Sequence, residues 1–402
     1  MFIVATQVQL LRTKRSMNKR NYVTRIVTSA LEVDALAWDA LLQQQSHSTP
    51  FMRHDYLAAL HTSGCASAST GWQPHFLTLE CDGTMVAGCV VYLKSHSYGE
   101  YVFDWAWAQA YQQHGLAYYP KALVAVPFTP VPGTRLLACD ADARIALLYA
   151  LLGWCKAVGV SSLHVLFAAE DDVQACAEAG LMLRHTVQFH WRNSAAGYVD
   201  FDDFLATLSQ EKRKKIRQER RKVHDAGVVF ECKTGCEISA DDWAFFYGCY
   251  ERTYLEHGNA PYLSREFFQH IGQTMPENWL LCLAKRDGNA LACSLIALNP
   301  QQKVAYGRYW GALERVDCLH FEACYYQPLQ WCINHGYTAF EGGAQGEHKM
   351  ARALMPVKTT SAHWLLQPAF ADAVSNFLER EGEHVARYME DLELRKPFKK
   401  LE

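Results

Sequence analysis

The chain of 402 residues is longer than one ordinary domain and fits two domains of about 150–200 residues each. Its residues are 50% hydrophobic and 20% charged, which excludes a chain that is disordered throughout. The formal net charge of −3 excludes a uniformly basic protein that coats nucleic acid, and no run of about 18 apolar residues predicts a transmembrane helix.

The 14 cysteines are scattered along the chain and mostly lie in apolar runs. The pairs Cys232/Cys236 and Cys318/Cys324 lack a second pair of zinc ligands at a suitable spacing. A chain of this length has no need of a disulfide framework. We therefore predict reduced thiols, no metal site and a cytoplasmic location.

The N-terminal stretch is basic, with no acidic residue before Glu32. It lacks the long apolar core and the cleavage site of a signal peptide. We interpret residues 1–27 as a disordered or mis-started leader, with Met17 as the alternative initiator.

The first half contains a recognisable order of elements. Asp82 and Gly83 lie between two apolar runs, which is a strong signal for a β-hairpin. The predicted elements of this half are a helix from about Leu31, a helix over 50–60, a hairpin over 74–93, a helix over 145–158 and a strand over 162–167.

The second half repeats this order. Asp287 and Gly288 again separate two apolar runs. The predicted elements are a hairpin over 279–298, a strand over 304–310, a helix over 319–334 and a strand over 337–341. This repetition predicts a duplicated α/β module, in which the aromatic segment 98–133 holds the extra residues of the first copy.

Two further helices complete the pattern. The stretch 212–222 has eight basic residues and one acidic residue, a net charge of +7, and it lies within a predicted helix over 210–226. Residues 367–402 are predicted to form an amphipathic helix and a tail that pack on the body.

Six stretches together resemble the Fem-like predicted N-acyltransferases of the GNAT superfamily, a family of peptidoglycan biosynthesis or recognition proteins. The resemblance covers about residues 45–366 and is carried by residues 94–107, 124–130, 187–193, 306–313, 320–326 and 343–349. It implies an α/β (α+β) fold of tandem duplicated GNAT-like (acyl-CoA N-acyltransferase) domains, with mixed, mostly antiparallel sheets flanked by helices. We place an N-terminal domain at 28–195 and a C-terminal domain, which includes the basic helix, at 196–366.

Members of this superfamily commonly hold coenzyme A on a loop of the pattern (Gln/Arg)-x-x-Gly-x-(Gly/Ala). The corresponding stretch here is 308–313, where Leu313 departs from the pattern. We predict that Arg308, Tyr309 and Trp310 bind the donor; the alternative is an ordinary strand whose side chains alternate between core and surface.

The segment 98–107 combines acids with aromatic rings. Acids among rings can have a raised pKa and act as a base, and rings can stack on sugars or bases. We predict Asp104 as catalytic and four residues as substrate-binding, namely Tyr98, Glu100, Trp105 and Trp107. The alternative is a loop held in place by its aromatic side chains.

The glycine-rich stretch 341–349 follows a predicted strand. Its glycines allow backbone N–H groups to approach an anion or an oxyanion. We predict Glu347 and His348 as catalytic, and Gly343, Gln345 and Lys349 as donor-binding. The alternative is a polar turn between a strand and a helix.

Two polar residues, His320 and Glu322, begin the helix that follows the predicted donor loop. Glu322 is also predicted as catalytic, although a glutamate at a helix start is already explained by the helix dipole. His320 is an alternative base.

The basic helix is predicted to bind phosphate through Lys212, Arg213, Lys215 and Arg217. Its alternative is a solvated basic face. The donor is acyl-CoA or aminoacyl-tRNA, and the acceptor is an amine of a cell-wall precursor or of another small molecule. tRNA is a further partner, and a non-catalytic protein that recognises peptidoglycan or glycopeptides is the alternative function.

Overall fold

The structure is a computed structural model that describes residues 20–344 and 346–399. The strands are β1 (Val23–Val27), β2 (Trp72–Cys81), β3 (Thr84–Lys94), β4 (Lys121–Val124), β5 (Leu137–Ala138), β6 (Ser162–Ala168), β7 (Met182–Arg192), β8 (Val229–Thr234), β9 (Trp279–Arg286), β10 (Asn289–Asn299), β11 (Val304–Ala312), β12 (Ala339–Ala344) and β13 (Met355–Leu365).

Helices connect most of these strands. They are α1 (Ala35–Gln43), α2 (His54–Thr62), α3 (Trp105–Gln113), α4 (Ala141–Val158), α5 (Glu170–Glu178), α6 (Phe201–Thr207), α7 (Gln210–Asp225), α8 (Ala240–Glu256), α9 (Arg265–Thr274), α10 (Leu319–Phe321), α11 (Gln327–Asn334) and α12 (Pro368–Glu393). A π-helical turn, Glu322–Tyr326, joins α10 to α11. No helix within the described ranges combines the length and the hydropathy that crossing a bilayer requires.

The chain divides into two compact units. The first unit comprises Met1–Thr186 and Thr359–Val385, and the second comprises Val187–Lys358 and Ala386–Glu402. These bounds differ from the domain bounds predicted from the sequence, because each unit takes its last strand from a distant part of the chain. The predicted domain assignment therefore stays a prediction.

The two units have the same strand order. The sheet of the first unit runs β1-β2-β3-β4-β6-β13, and that of the second runs β8-β9-β10-β11-β12-β7. In each sheet one pair is parallel, β4 with β6 and β11 with β12, and the other registered pairs are antiparallel. The predicted duplicated α/β fold with mixed, mostly antiparallel sheets flanked by helices is confirmed.

Both predicted hairpin turns are built in the same way. Asp82 and Gly83 have φ of 50° and 76°, and Asp287 and Gly288 have φ of 51° and 79°. Two successive residues with positive φ match the twist of the flanking antiparallel strands, and Asp-Gly adopts this conformation readily. The local sequence therefore sets the register of β2 with β3 and of β9 with β10.

Three element boundaries differ from the prediction. The leader predicted over 1–27 is wrong for Val23–Val27, which pairs with β2, and residues 1–19 lie outside the described residues. The first helix begins at Ala35 because the Asp34 carboxylate accepts hydrogen bonds from the N–H groups of the first turn. Asp140 caps α4 in the same way, so this helix begins before residue 145.

A separate core supports each sheet. In the first unit, apolar side chains of α4 such as Leu147 and Leu151 pack on the sheet, and Val374 and Leu378 of α12 pack with Trp107. The core of the second unit includes side chains from β7, α6, α7 and α11, among them Trp191, Phe204, Ile216 and Leu329, together with Leu392 of α12. The predicted helices over 210–226 and after Pro368 are thus present, and α3 lies inside the segment predicted to hold the extra residues.

Gly311 marks a close approach between β11 and α8, and we expect its replacement to be destabilising. A Cβ at this position would lie 2.2 Å from the backbone oxygen of Cys249. Gly311→Ala must displace α8, so it should lower the free energy of unfolding by about 1–3 kcal/mol. Gly248→Ala, within α8 itself and with open space around its Cβ, is the control and should be neutral or stabilising by about 0.5–1 kcal/mol. Equal midpoints in urea for the two variants would contradict this packing.

Candidate functional site

The parallel strands of the second unit separate at their carboxyl ends. β11 and β12 pair only over three positions, the last of which joins Tyr306 to Glu341. β11 then continues to Ala312 and β12 to Ala344 without further pairing between them. A gap between two strands exposes backbone groups that a sheet would otherwise pair.

A β-bulge in β11 shapes one side of this gap. Leu295 of β10 lies opposite Tyr309, whereas the next residue, Ile296, lies opposite Gly307, so Arg308 is the extra residue. Gly307 and the three residues after it are all partly exposed, which is not the alternation of a regular strand. A bulge redirects the side chains around it, so the alternative of an ordinary alternating strand does not describe this segment.

A pocket of about 150 Å³ occupies the gap. It is lined by residues of β10, β11, β12 and the α10–α11 segment, namely Ser294, Leu295, Ile296, Gly307, Arg308, Tyr309, Trp310, His320, Cys324, Tyr325, Phe340 and Gly342. The structure thus brings the three predicted donor-binding residues of β11 together in one pocket. We take this pocket as the candidate active site.

The π-helical turn supplies one wall of the pocket. Cys324 and Tyr325 line the pocket, whereas Tyr326 in the same turn donates a hydrogen bond to Glu219 of α7. A π-helical turn inserts an extra residue into a helix and often occurs at a functional site. Here it directs adjacent residues to the pocket and to α7.

Glu322 lies in this turn but does not line the pocket. Its carboxylate is buried and accepts hydrogen bonds from Arg220 at 3.1 Å and from Gln327 at 2.7 Å. A carboxylate with a cationic partner and an amide donor is suited to holding α7 in place. The structure therefore places Glu322 outside the pocket lining, and its catalytic role stays a prediction.

Glu219, the acidic residue within the basic stretch, is buried. It accepts a hydrogen bond from Arg352 at 2.9 Å, and the Arg352 guanidinium lies 3.6 Å from the centre of the Phe321 ring. Sequence reasoning missed this anchor. The signal was present in the helical spacing of Ile216, Glu219 and Val223, which form the buried face of α7.

The glycine-rich end of β12 is irregular, as its sequence predicts. Gly342 and Gly343 interrupt the pairing with β7, and Gly343 has φ of 74°. Lys349 is buried, and its amine donates hydrogen bonds to the backbone oxygens of Gly342 at 2.6 Å and Gly343 at 3.2 Å. Burial lowers the pKa of Lys349 to about 8. This lysine thus fixes the glycine segment, while the predicted residue Gln345 lies outside the described residues.

Glu347 is not brought to the pocket. Its exposed carboxylate accepts a hydrogen bond from Tyr388 at 2.8 Å and pairs with Arg395 at 3.0 Å. Both partners come from the C-terminal part of the chain, which the sequence pattern did not connect to this loop. The predicted catalytic role of Glu347 has no support in this geometry.

One histidine lines the pocket and a second lies beside it. His320 lines it and packs edge-on against Trp310, with ring centres 5.4 Å apart. His348 lies 3.3 Å from the Tyr325 hydroxyl, measured from its Nε2 atom. Desolvation and neighbouring positive groups lower the pKa of both histidines, so each ring is neutral at pH 7 and can accept a proton.

The acids of the first unit form a buried ion cluster. Lys121 donates hydrogen bonds to Glu100 at 2.8 Å, to Ser97 at 2.7 Å and to Asp104, and all four side chains are buried. Burial raises the pKa of Glu100 to about 7. Burial alone would also raise the pKa of Asp104, but the Lys121 ammonium holds this pKa below its ordinary value. Asp104 is therefore an anion at neutral pH, held by Lys121 and by the Tyr118 hydroxyl, which donates at 2.6 Å.

The aromatic rings of the segment 98–107 differ from one another in how exposed they are. Tyr98 is 59% exposed and Trp105 42% exposed, and their ring centres lie 5.2 Å apart. Trp107 is only 6% exposed and packs against His363. The structure thus leaves Tyr98 and Trp105 accessible, whereas Trp107 holds the segment in place.

In the first unit, the chain fills the place that corresponds to the pocket. β4 and β6 pair in parallel as far as Val124 and Val165. Beyond them Gly133 bridges to Ala168, and Arg135, 1% exposed, donates to the backbone oxygen of Leu166 at 3.1 Å. Among the described residues, this bridge and this hydrogen bond extend the contacts of β6 beyond its pairing with β4.

The predicted phosphate-binding residues lie on α7. Lys212 pairs with Glu211 at 3.1 Å and Arg217 with Asp202 at 3.2 Å, both near the surface. Lys215 is exposed and Arg213 half-buried. None of them lines the pocket, so they form a separate basic face. Within the described ranges, no group of three or more His, Cys, Asp or Glu side chains could hold a metal ion.

Comparisons with known proteins agree with the fold. The solved structure of FemX is 11% identical, with a TM-score of 0.54 over 87% of this chain and 100% of its own. L-PGS from Bacillus licheniformis is 12% identical, with a TM-score of 0.52 over 86% of this chain and 97% of its own. A tandem GNAT protein from the clavulanic acid biosynthesis pathway is 11% identical, with a TM-score of 0.39 over 86% of this chain and 99% of its own. The likenesses to FemX and to L-PGS concern the fold.

No curated protein matches the sequence. The model of the FemAB-like family, described as peptidoglycan biosynthesis/recognition, matches residues 29–400. This match includes both units and the candidate site. The chain therefore belongs to the FemAB-like family of peptidoglycan biosynthesis/recognition proteins.

Proposed function

We propose that the protein is an N-acyltransferase. An amine of a cell-wall-related or other small acceptor attacks the carbonyl of an acyl or aminoacyl donor held between β11 and β12. The observation that carries this proposal is the open gap between these strands, with a bulge at Arg308 on one edge and Gly342 on the other. Membership of a peptidoglycan biosynthesis/recognition family supports a cell-wall-related acceptor.

The reaction needs a proton acceptor and donors to the oxyanion. The amine forms a C–N bond to the carbonyl carbon as the thioester or ester bond of the donor breaks. The edge of β11 after Tyr306 no longer pairs with β12, so its N–H groups can stabilise the tetrahedral oxyanion. His320, neutral at pH 7, takes the proton of the amine in this scheme.

Tyr325 is the general acid in this scheme. Burial raises the pKa of its hydroxyl, which therefore stays protonated at neutral pH. The hydroxyl can donate a proton to the departing thiolate or alkoxide. The tyrosinate then regains its proton from solvent, and His320 releases to solvent the proton that it took from the amine; His348 contacts the Tyr325 hydroxyl at 3.3 Å.

A direct assay distinguishes an acyl-CoA donor from an aminoacyl-tRNA donor. Purified protein is incubated with radiolabelled acyl-CoA or aminoacyl-tRNA and a panel of amines that includes muropeptide precursors. We expect product with one donor class, and loss of product in Tyr325→Phe, which removes only the hydroxyl. Tight binding without turnover across the whole panel would overturn the enzyme assignment.

That outcome would favour the alternative function, a non-catalytic protein that recognises peptidoglycan or a glycopeptide. The exposed contact between Tyr98 and Trp105 supports it, because paired rings stack on sugars. Calorimetry with muropeptides measures this binding. A Tyr98→Ala, Trp105→Ala double variant should lose it if these rings carry recognition.

The basic face of α7 is proposed to bind the phosphates of the donor or acceptor. Replacing Lys215 and Arg217 by glutamine should weaken tRNA binding and lower the slope of log affinity against log salt by about 1 for each lost contact. Replacing exposed Lys358 and Arg380 is the charge-matched control and should leave the slope unchanged. An affinity for tRNA that does not fall between low and high salt would contradict phosphate binding by this helix.

A further inference from the structure

Two cysteines lie directly opposite each other on neighbouring strands of the second unit. Cys232 of β8 and Cys282 of β9 are registered partners in an antiparallel ladder. Their Sγ atoms are 2.7 Å apart. Both thiols are free, as the sequence predicts, but their sulfur atoms are in direct contact.

The backbone already has the spacing that a disulfide requires. Directly opposed residues of antiparallel strands have Cα atoms about 4.5–5.5 Å apart. Disulfides join residues whose Cα atoms are about 4.4–6.8 Å apart. A bond between Cys232 and Cys282 thus needs only a side-chain rotation.

We propose that Cys232 and Cys282 form an oxidisable dithiol, which peroxide converts into a disulfide that joins β8 to β9. In the first step the Cys232 sulfur attacks hydrogen peroxide, the O–O bond breaks, and a sulfenic acid and one water form. In the second step the Cys282 sulfur attacks this sulfenic acid, the S–S bond forms, and the hydroxyl leaves as a second water. Two thiols lose two electrons and two protons, which peroxide accepts.

Exposure determines the order of the two steps. Cys232 is partly exposed, whereas Cys282 is fully buried, so peroxide reaches Cys232 first. Burial also raises the pKa of Cys282 well above its ordinary value, which makes this thiol slow to react with dissolved oxidants. Contact with Cys232 lets Cys282 act as the resolving thiol.

A second thiol pair provides a contrast within the same unit. Cys249 and Cys293 also interact, but both are fully buried. Neither can meet peroxide at the surface, so this pair should stay reduced under conditions that oxidise Cys232. Cys139 and Cys236 are exposed and provide accessible thiols for comparison.

Oxidation should strengthen the edge of the sheet. β8 is the last strand of the second unit's sheet and pairs only with β9 among the described strands. A disulfide closes the long loop between the two cysteines and so restricts the unfolded chain. We expect the melting temperature to rise by about 5 °C on oxidation and to return on reduction.

Peptide mapping tests the proposal on the full chain. The protein is treated with hydrogen peroxide, free thiols are alkylated in denaturant, and trypsin is added without reductant. Trypsin releases Cys232 in peptide 223–233 and Cys282 in peptide 266–285, each with a single cysteine. We expect these peptides to appear as one linked species whose mass is lower by two hydrogens than the sum of the free peptides.

Two variants complete the experiment. Cys232→Ser should abolish the linked species, and Cys236→Ser, at an exposed position of the same region, should retain it. A wild-type digest in which both peptides are recovered free, or in which Cys282 is linked to Cys236, would overturn the proposal. Because the wild-type map is sufficient alone, the test does not depend on the folding of either variant or on acyl transfer.

Discussion

Replacing His320 by alanine should lower the rate of acyl transfer by about 10²–10⁴-fold with little change in stability. The ring lines the pocket, and its lowered pKa keeps it neutral at pH 7. Without it, no side chain in the same position can take the amine proton. Steady-state kinetics with the donor identified in the panel assay measure the loss, which should appear in kcat more than in KM.

His335→Ala is the matched control for this prediction. His335 is exposed in the same unit and stacks on Trp331, outside the pocket. It should leave the rate within about twofold, as expected for a surface position. A His320→Ala enzyme that keeps the wild-type rate at every pH would contradict its role as the base.

The pH profile gives a second readout of the same base. A base must be unprotonated, so the rate falls as the pH falls through the pKa of His320. Because desolvation lowers that pKa, the acid limb of wild-type activity should lie below the ordinary histidine pKa of about 6.5. The His320→Ala variant should lose this limb.

Replacing Lys121 by methionine should lower the free energy of unfolding by about 3–5 kcal/mol. Lys121 is fully buried and is the shared partner of Glu100 and Asp104. Removing its ammonium leaves both carboxyl groups buried without their shared partner, and Lys94, 3.9 Å from Glu100, compensates poorly because burial lowers its pKa to about 7. Urea unfolding monitored by tryptophan fluorescence measures the effect.

Lys156→Met, on the exposed face of α4, is the control and should change stability by no more than about 0.5 kcal/mol. The contribution of Asp104 to the free energy of unfolding should also depend on pH in one direction. The lowered pKa of Asp104 means that its contribution is complete above the ordinary aspartate pKa of about 3.9 and is lost as the pH falls below it. Equal effects of the two lysine replacements at pH 7 would contradict a buried ion cluster.

Local signals explain why much of the fold was predictable. Each Asp-Gly turn fixes a hairpin within a few residues, and Gly159 ends α4 with a φ of 77°. The repeated order of hairpin, strand, helix and strand then implied duplication. These features depend on neighbours in the sequence, and the structure contains them.

Long-range pairing explains what the sequence did not reveal. β13 completes the first sheet and β7 the second, although each lies far along the chain from the strands beside it. No periodicity in either strand indicates which sheet it joins. The bounds of the compact units therefore differ from any division made at a point along the sequence.

The candidate site was predictable in part. The superfamily pattern located Arg308, Tyr309 and Trp310, which the structure places in the pocket. The partners of Glu322 and Glu347, by contrast, come from α7 and from the C-terminal part of the chain. Only a structure shows that these carboxylates are already paired, and that His320 and Tyr325 face the pocket instead.

A crystal structure with an unreactive donor analogue tests the central claim most directly. The analogue is a thioether of acyl-CoA, or an amide-linked aminoacyl-adenosine, according to the donor found in the assay. We predict electron density between β11 and β12, with the donor carbonyl oxygen within hydrogen-bond distance of a backbone N–H between Gly307 and Trp310. Density for the analogue elsewhere on the chain, with this pocket empty, would contradict the assignment.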